Sequence, residues 1–274
     1  KLKITASDVN KLRQSTGAGM MDCKKALEES NGDFEKAVEI LRKKGQKVAA
    51  NRADRESSEG VVLAKVSNDK TYGIIISLNC ETDFVAKNED YIQLAQSLAD
   101  HALNFTDKDS FLNSDFNGKR VSDKLLEQTG VIGEKIEIGS FKYLKSEFVG
   151  SYIHAGNKIA SIVGLSQNFD NADEVSKNIS MQVAAMNPVA LNENGVSQDI
   201  IEKEIEIAKD QLRQEGKPED MLDNIAKGKL KKFFKENTLV NQQFIKDSKQ
   251  SVSDYLKSQS NNAEVTGFSR VGLV

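Results

Sequence analysis

The chain has 274 residues, enough to bury a sizeable core and to form two or more domains. Its 38 Lys and Arg residues nearly balance 41 Asp and Glu residues, for a formal net charge of −3, which argues against a nucleic-acid binder relying on one large basic face. Two cysteines, Cys23 and Cys80, are too few for a disulfide framework and make a reducing cytoplasm the natural home.

Residues 4–45 read as three short helices. Thr5 and Asp8 form a capping box for the first, with Val9 and Leu12 facing inward. The run Thr16-Gly17-Ala18-Gly19 breaks it. In the second helix Met20, Cys23, Ala26 and Leu27 share one face. Met21 lies about 100° around from Met20. There it is either a soft contact for a partner or a cap on the edge of the small core. Asn31-Gly32-Asp33 supplies a turn and an N-cap, the third helix buries Phe34, Ala37, Val38 and Leu41, and Gly45 suits its C-terminal stop. Residues 46–60 are charged and polar and read as a linker or frayed helix.

A hairpin follows, from Gly60-Val61-Val62-Leu63-Ala64-Lys65-Val66 across a polar turn to Tyr72-Gly73-Ile74-Ile75-Ile76-Ser77-Leu78. The polar stretch Asn79-Cys80-Glu81-Thr82-Asp83-Phe84-Val85-Ala86-Lys87-Asn88 reads as a loop before a helix that buries Tyr91, Leu94, Ala95, Leu98 and Ala102. Pattern alone favours Phe84 as a staple of that helix to the core. Residues 104–120 are polar and poorly patterned, a surface loop or short helix. Residues 136–143 add a strand to this first unit. Hairpin and helix then recur: Phe148 to His154 is a strand, Ala155-Gly156-Asn157-Lys158 a turn, and Ile159 to Leu165 a second strand. The next helix buries Val175, Ile179, Val183 and Met186, and Glu264-Val265-Thr266-Gly267-Phe268 closes the second unit.

Between them Ser197 caps a helix carrying Ile200, Ile201, Ile205, Ala208 and Leu212. Pro218, at a first helical position, opens a return helix with Met221, Leu222, Ile225, Ala226 and Leu230. The expected fold is α+β: a three-helix N-terminal module, a core of two related antiparallel-sheet and helix subdomains, and an inserted helical hairpin. The domain division is 1–55 for the module and linker, 56–145 for the first core subdomain, and 146–274 for the second, with the hairpin inserted at about 196–238.

Thr82-Asp83-Phe84-Val85-Ala86-Lys87-Asn88 resembles the signature of the elongation factor Ts family, the nucleotide-exchange factors of elongation factor Tu. Leu12-Arg13 with Ser15-Thr16-Gly17-Ala18-Gly19-Met20-Met21-Asp22-Cys23-Lys24-Lys25-Ala26-Leu27 agrees. So do Gly150-Ser151-Tyr152-Ile153-His154, Met181-Gln182-Val183-Ala184-Ala185 and Ala263-Glu264-Val265-Thr266-Gly267-Phe268, all in family order. The N-terminal module is similar to a ubiquitin-associated bundle.

The resemblance implies binding to elongation factor Tu·GDP, faster GDP release, and departure when GTP enters. It implies that Asp83 and Phe84, flanked by Thr82 and Val85, act as a wedge near the partner's magnesium and phosphates. Arg13, Met20 and Met21 match positions that grip the partner's nucleotide-binding domain. Ile132, within Gly130-Val131-Ile132-Gly133-Glu134, and His154 and Ile245 match further contacts, the last two facing another partner domain. The hairpin is associated by resemblance with subunit assembly, as a homodimer or a heterotetramer with elongation factor Tu. Many relatives continue beyond the position of Val274 into a segment that touches the partner, so that contact is expected to be missing. Gln243 stands where relatives often carry Pro.

Little covalent chemistry is expected. His101 and His154 lack ligand-like spacing, so no metal site is expected. No feature places a base beside Cys80, which disfavours a thiol enzyme. Gly17 and Gly19 lack the Walker spacing, so direct nucleotide binding is not expected, nor is any cofactor. No apolar run approaches a membrane span, and no signal-peptide pattern opens the chain, whose first residue, Lys1, implies a processed, trimmed or omitted start. Neither nucleic acid nor membrane is expected as a partner. The alternative reading is a non-catalytic protein-binding adaptor that uses the N-terminal helical module.

Overall fold

A computed structural model describes residues 3–274 as a mixed helical and antiparallel-sheet protein. The described residues fold as two compact units, residues 3–63, 76–142 and 273–274 in one and 64–75 and 143–272 in the other.

In the first unit α1 (Ala6–Thr16), α2 (Met20–Glu29) and α3 (Phe34–Asn51) form the N-terminal module. The Thr5 and Asp8 side chains each take the other's backbone N–H, as their spacing predicts. Val9, Leu12, Cys23, Ala26, Leu27 and Ala37 make the small core. Gly45 is not the stop that its type suggests, because α3 runs six residues further, to Asn51. Its lack of a side chain serves packing: α3 crosses α7 (Val121–Ile132) at Gly130, where a Cβ would lie 2.4 Å from Gly45 Cα.

Strands β1 (Glu59–Val66), β2 (Tyr72–Cys80) and β5 (Glu137–Lys145) form a sheet in the order β1-β2-β5. The one-turn helix α4 (Asp83–Ala86) and α5 (Glu89–Ala102) follow β2. Tyr91, Ala95, Leu98 and Ala102 are buried, as predicted from their spacing. The polar stretch beyond them is more ordered than its composition suggests. It forms α6 (Lys108–Asn113) and a small hairpin of β3 (Asp115–Phe116) and β4 (Lys119–Arg120). Phe111 explains this, because its fully buried ring packs with Phe105 and Phe141. Helix α7 itself was masked by its mixed composition; Val121, Leu125 and Thr129 form its buried stripe.

In the second unit β6 (Phe148–Ile153), β7 (Ile159–Leu165) and β10 (Val265–Gly272) form an antiparallel sheet in the order β10-β7-β6. In each sheet the second strand of the hairpin is central and the third strand arrives after a helix, which is the repeat expected from sequence. Helix α8 (Ala172–Met186) buries Val175, Ile179 and Val183 against Phe148, Val163 and Leu165. Met186 ends the helix exposed rather than buried.

The hairpin arms are α9 (Gln198–Gln214), capped by Ser197, and α10 (Leu222–Asn237). Ala208, Leu212, Leu222 and Ala226 form the buried seam. Pro218 precedes a short 3-10 turn, Glu219–Met221, one position before its expected place. The chain returns through β8 (Gln243–Phe244), β9 (Asp247–Ser251) and α11 (Val252–Gln259). A Ser251 and Asp254 capping box starts α11, a signal absent from the sequence expectations. Among the described residues no helix is long and apolar enough to cross a membrane.

Candidate functional site

The turn after β2 carries the most exposed aromatic side chain among the large hydrophobics of the described residues. Cys80 ends β2 buried, and its thiol donates to the Thr82 carbonyl at 3.2 Å. Thr82 caps α4, its hydroxyl accepting the Val85 N–H at 3.5 Å. Asn88 caps α5 by accepting the Tyr91 N–H at 3.2 Å. Two caps six residues apart leave room for a single turn. Ala86 faces inward, and Phe84 is 83% exposed. The staple favoured by pattern is therefore not formed, and the predicted loop is helical.

Asp83 pairs with Lys87 at 2.6 Å, one turn along. The Lys87 ammonium, hydrogen-bonded to it, holds the Asp83 carboxyl below its usual range, and Asp83 raises the Lys87 ammonium in return. Val85 is half-buried beside them.

Two carboxylates brace this turn. Glu134 Oε2 accepts the N–H groups of Glu81 and Thr82, both at 3.1 Å, and Oε1 accepts the Thr82 hydroxyl at 2.7 Å. Glu81 receives Arg52 Nη1 at 2.8 Å on each oxygen and the Lys135 N–H at 2.7 Å. Burial works against its charge, but Lys135 and Arg52 outweigh it and hold the carboxyl below the usual range. The Lys135 ammonium reaches the carbonyls of Ala53 and Arg55 at 3.1 and 3.3 Å. Gly133, at φ 79°, ends α7 in the left-handed conformation that aims Glu134 at the turn. Half-buried Ile132 immediately precedes it. Sequence reasoning assigned no role to Glu134, Glu81 or Arg52. A charged residue just past a glycine helix stop was the available signal.

On the N-terminal module Arg13 is exposed in the last turn of α1, and Met20 and Met21 open α2. Periodicity puts Met20 on the core stripe, yet it is 55% exposed and Met21 64%. Met20 is the first helical residue and extends past the end of the small core, whose stripe begins at Cys23. Burial pushes the Cys23 thiol upward.

His154 and Ile245 belong to the second unit. His154 is exposed after β6, with Nδ1 2.8 Å from the Tyr152 hydroxyl. Ile245 is exposed in the β8–β9 turn, and its N–H donates to buried Gln182 at 2.8 Å. Thr82, Asp83, Phe84, Val85 and Ile132 thus fall around one braced turn. Arg13, Met20 and Met21 form a second exposed group on the helical module.

Elsewhere the chemistry is structural. His101 packs among Phe105, Phe111 and Phe116 with Nε2 2.8 Å from Ser114 Oγ, and burial depresses its pKa. No metal-binding cluster of His, Cys, Asp and Glu occurs among the described residues. A cavity of about 390 Å³ between the helical module and α7 has an apolar floor of Val38, Leu41, Leu126 and Val131. Charges at its mouth pair with one another: Arg42 and Arg120 with Asp123, Lys44 with Asp22, and Lys119 with Glu127.

A family model described as Elongation factor TS matches residues 81–273. A relative named Elongation factor Ts from Christiangramia forsetii is 66% identical over 271 residues, covering 99% of both chains. One of the same name from Flavobacterium psychrophilum is 63% identical over 270 residues, covering 98% of both. One from Porphyromonas gingivalis is 46% identical over 276 residues, covering 99% of both.

Proposed function

The chain belongs to the elongation factor Ts family, and on that premise we propose that it binds elongation factor Tu·GDP and accelerates GDP release. The observation that carries this reading is the Phe84 ring, 83% exposed on a turn held from behind by Glu134. An apolar side chain exposed on a braced support loses little conformational freedom on entering a partner, so more of its burial energy remains to displace partner groups.

GDP is held by backbone amides around its phosphates and by a bridging magnesium ion. A wedge that moves the elements carrying those groups raises the nucleotide's off-rate without breaking a covalent bond. The effect is reciprocal: exchange factor and nucleotide each favour a different arrangement of the partner, so each weakens the other's binding. GTP entry then expels the factor.

Phe84 is the wedge, and Asp83, already paired with Lys87, is placed to compete for hydrogen bonds near the magnesium site. Arg13, Met20 and Met21 supply grip on the nucleotide-binding domain through the module of residues 1–55, the exposed methionines acting as adaptable contacts. Ile132 adds to the wedge side, and His154 and Ile245 meet another partner domain. The hairpin at about 196–238 serves assembly with further subunits. The test is release of fluorescent GDP from elongation factor Tu. Acceleration by substoichiometric protein is expected; binding with unchanged release would replace exchange with the adaptor reading.

A further inference from the structure

We infer that Glu134 is a positioning residue for Phe84: its carboxylate fixes the start of α4 so that the ring stands out already oriented for a partner. The inference rests on the exchange reading for its functional consequence, but its structural half stands alone. A four-residue helix cannot hold itself, because helix nucleation fixes several residues for one hydrogen bond. Ala86 is the only buried residue of α4, so packing contributes little. What remains is the pair of caps, the exposed Asp83–Lys87 ion pair, which contributes little at a surface, and the carboxylate behind them.

Glu134 reaches three donors at once, the N–H groups of Glu81 and Thr82 and the Thr82 hydroxyl. Charge-assisted hydrogen bonds of this kind are about twice as strong as neutral ones. By donating to Glu134, the Thr82 hydroxyl is oriented with a lone pair free to accept the Val85 N–H, so one carboxylate sets the cap as well as the backbone. Glu81 carries the brace onward. Its contacts with Arg52 and the Lys135 N–H tie the turn to the end of the N-terminal module and to the residue next to Glu134. A wedge must resist the force that it applies, and this network joins Phe84 to α3 and α7 rather than to a free loop. Glu134 itself need not touch the partner.

The experiment compares Glu134→Ala, Glu134→Gln and Phe84→Ala with the double variant Glu134→Ala/Phe84→Ala. In the free protein, amide hydrogen exchange at Val85, Ala86 and Lys87 is expected to quicken at least tenfold in Glu134→Ala and to leave α8 unchanged. Glu134→Gln, which keeps an oxygen for the two N–H groups and an amide donor for the Thr82 hydroxyl, is expected to restore most of the protection. In GDP release from elongation factor Tu, Glu134→Ala is expected to lower the limiting rate about tenfold with under a threefold change in the half-saturating concentration. In the Phe84→Ala background the same substitution is expected to cost less than twofold. Unchanged amide exchange, failure of Gln to rescue, or an undiminished tenfold loss without the Phe84 ring would each overturn the positioning role. Absence of accelerated release by the wild-type chain would instead overturn the exchange reading, while amide exchange still decides whether Glu134 orders the turn.

Discussion

Gly45 and Gly130 hold α3 and α7 together at a distance that neither residue could keep with an arbitrary side chain. The contact is asymmetric: a Cβ at Gly130 would lie 2.4 Å from Gly45 Cα, whereas one at Gly45 would lie 3.4 Å from Gly130 Cα. Helix α7 ends three residues later at Gly133 and hands the chain to Glu134. This backbone approach therefore helps to set where the brace behind Phe84 stands.

Gly130→Ala is expected to destabilise the protein by about 1–3 kcal/mol, since backbone must move to admit the methyl group. Gly45→Ala is expected to be nearly neutral, because tight but tolerable contact is offset by a gain in helix propensity of up to about 1 kcal/mol. Denaturant unfolding of the two variants checks this. Equal losses would show that the asymmetry carries no energetic weight.

Glu81 makes stability depend on acid. Its folded pKa lies below the unfolded value of about 4.3, so its contribution is present above that value and is lost as pH falls through the folded pKa. Glu81→Gln is expected to cost on the order of 1 kcal/mol at neutral pH. The gap from wild type should close below about pH 4. Unfolding followed from pH 7 to pH 3 measures it, and a gap that widens in acid would reverse the assignment.

Met21 and Arg13 are expected to act on docking rather than on release. Each substitution to Ala should raise the half-saturating concentration in the nucleotide-release assay by about three- to tenfold, a cost of up to about 1.4 kcal/mol, and leave the limiting rate within twofold. A fall in the limiting rate alone would move these residues into the wedge.

Sequence made the two hairpins legible because β1, β2 and β7 are rich in Val and Ile and are bounded by polar turns. It made α1 and α3 legible through caps at Thr5 and Asp33 and α2 through its apolar stripe. It left α7 hidden because that helix is half-buried on several sides and offers a weak stripe. Phe111 was missed for a related reason, as a core ring in a run of Lys, Asp and Ser. The exposure of Phe84 and Met20 was not readable from periodicity, which assumes that apolar residues at helical spacing face a core. At Phe84 the helix has one turn, and at Met20 the core has already ended. Glu134 carries one local signal, a charge just past the glycine stop of α7, but its partner is not readable, since Thr82 lies 52 residues away.

The central claim is that Phe84 drives nucleotide release rather than adhesion. It is tested most directly by titrating wild-type and Phe84→Ala protein into elongation factor Tu loaded with fluorescent GDP and separating limiting rate from half-saturation. Loss of about 2 kcal/mol from a central aromatic contact corresponds to about a 30-fold lower limiting rate, with a half-saturating concentration changed less than threefold. Equal losses in both quantities, or a limiting rate that survives the loss of the ring, would contradict the wedge.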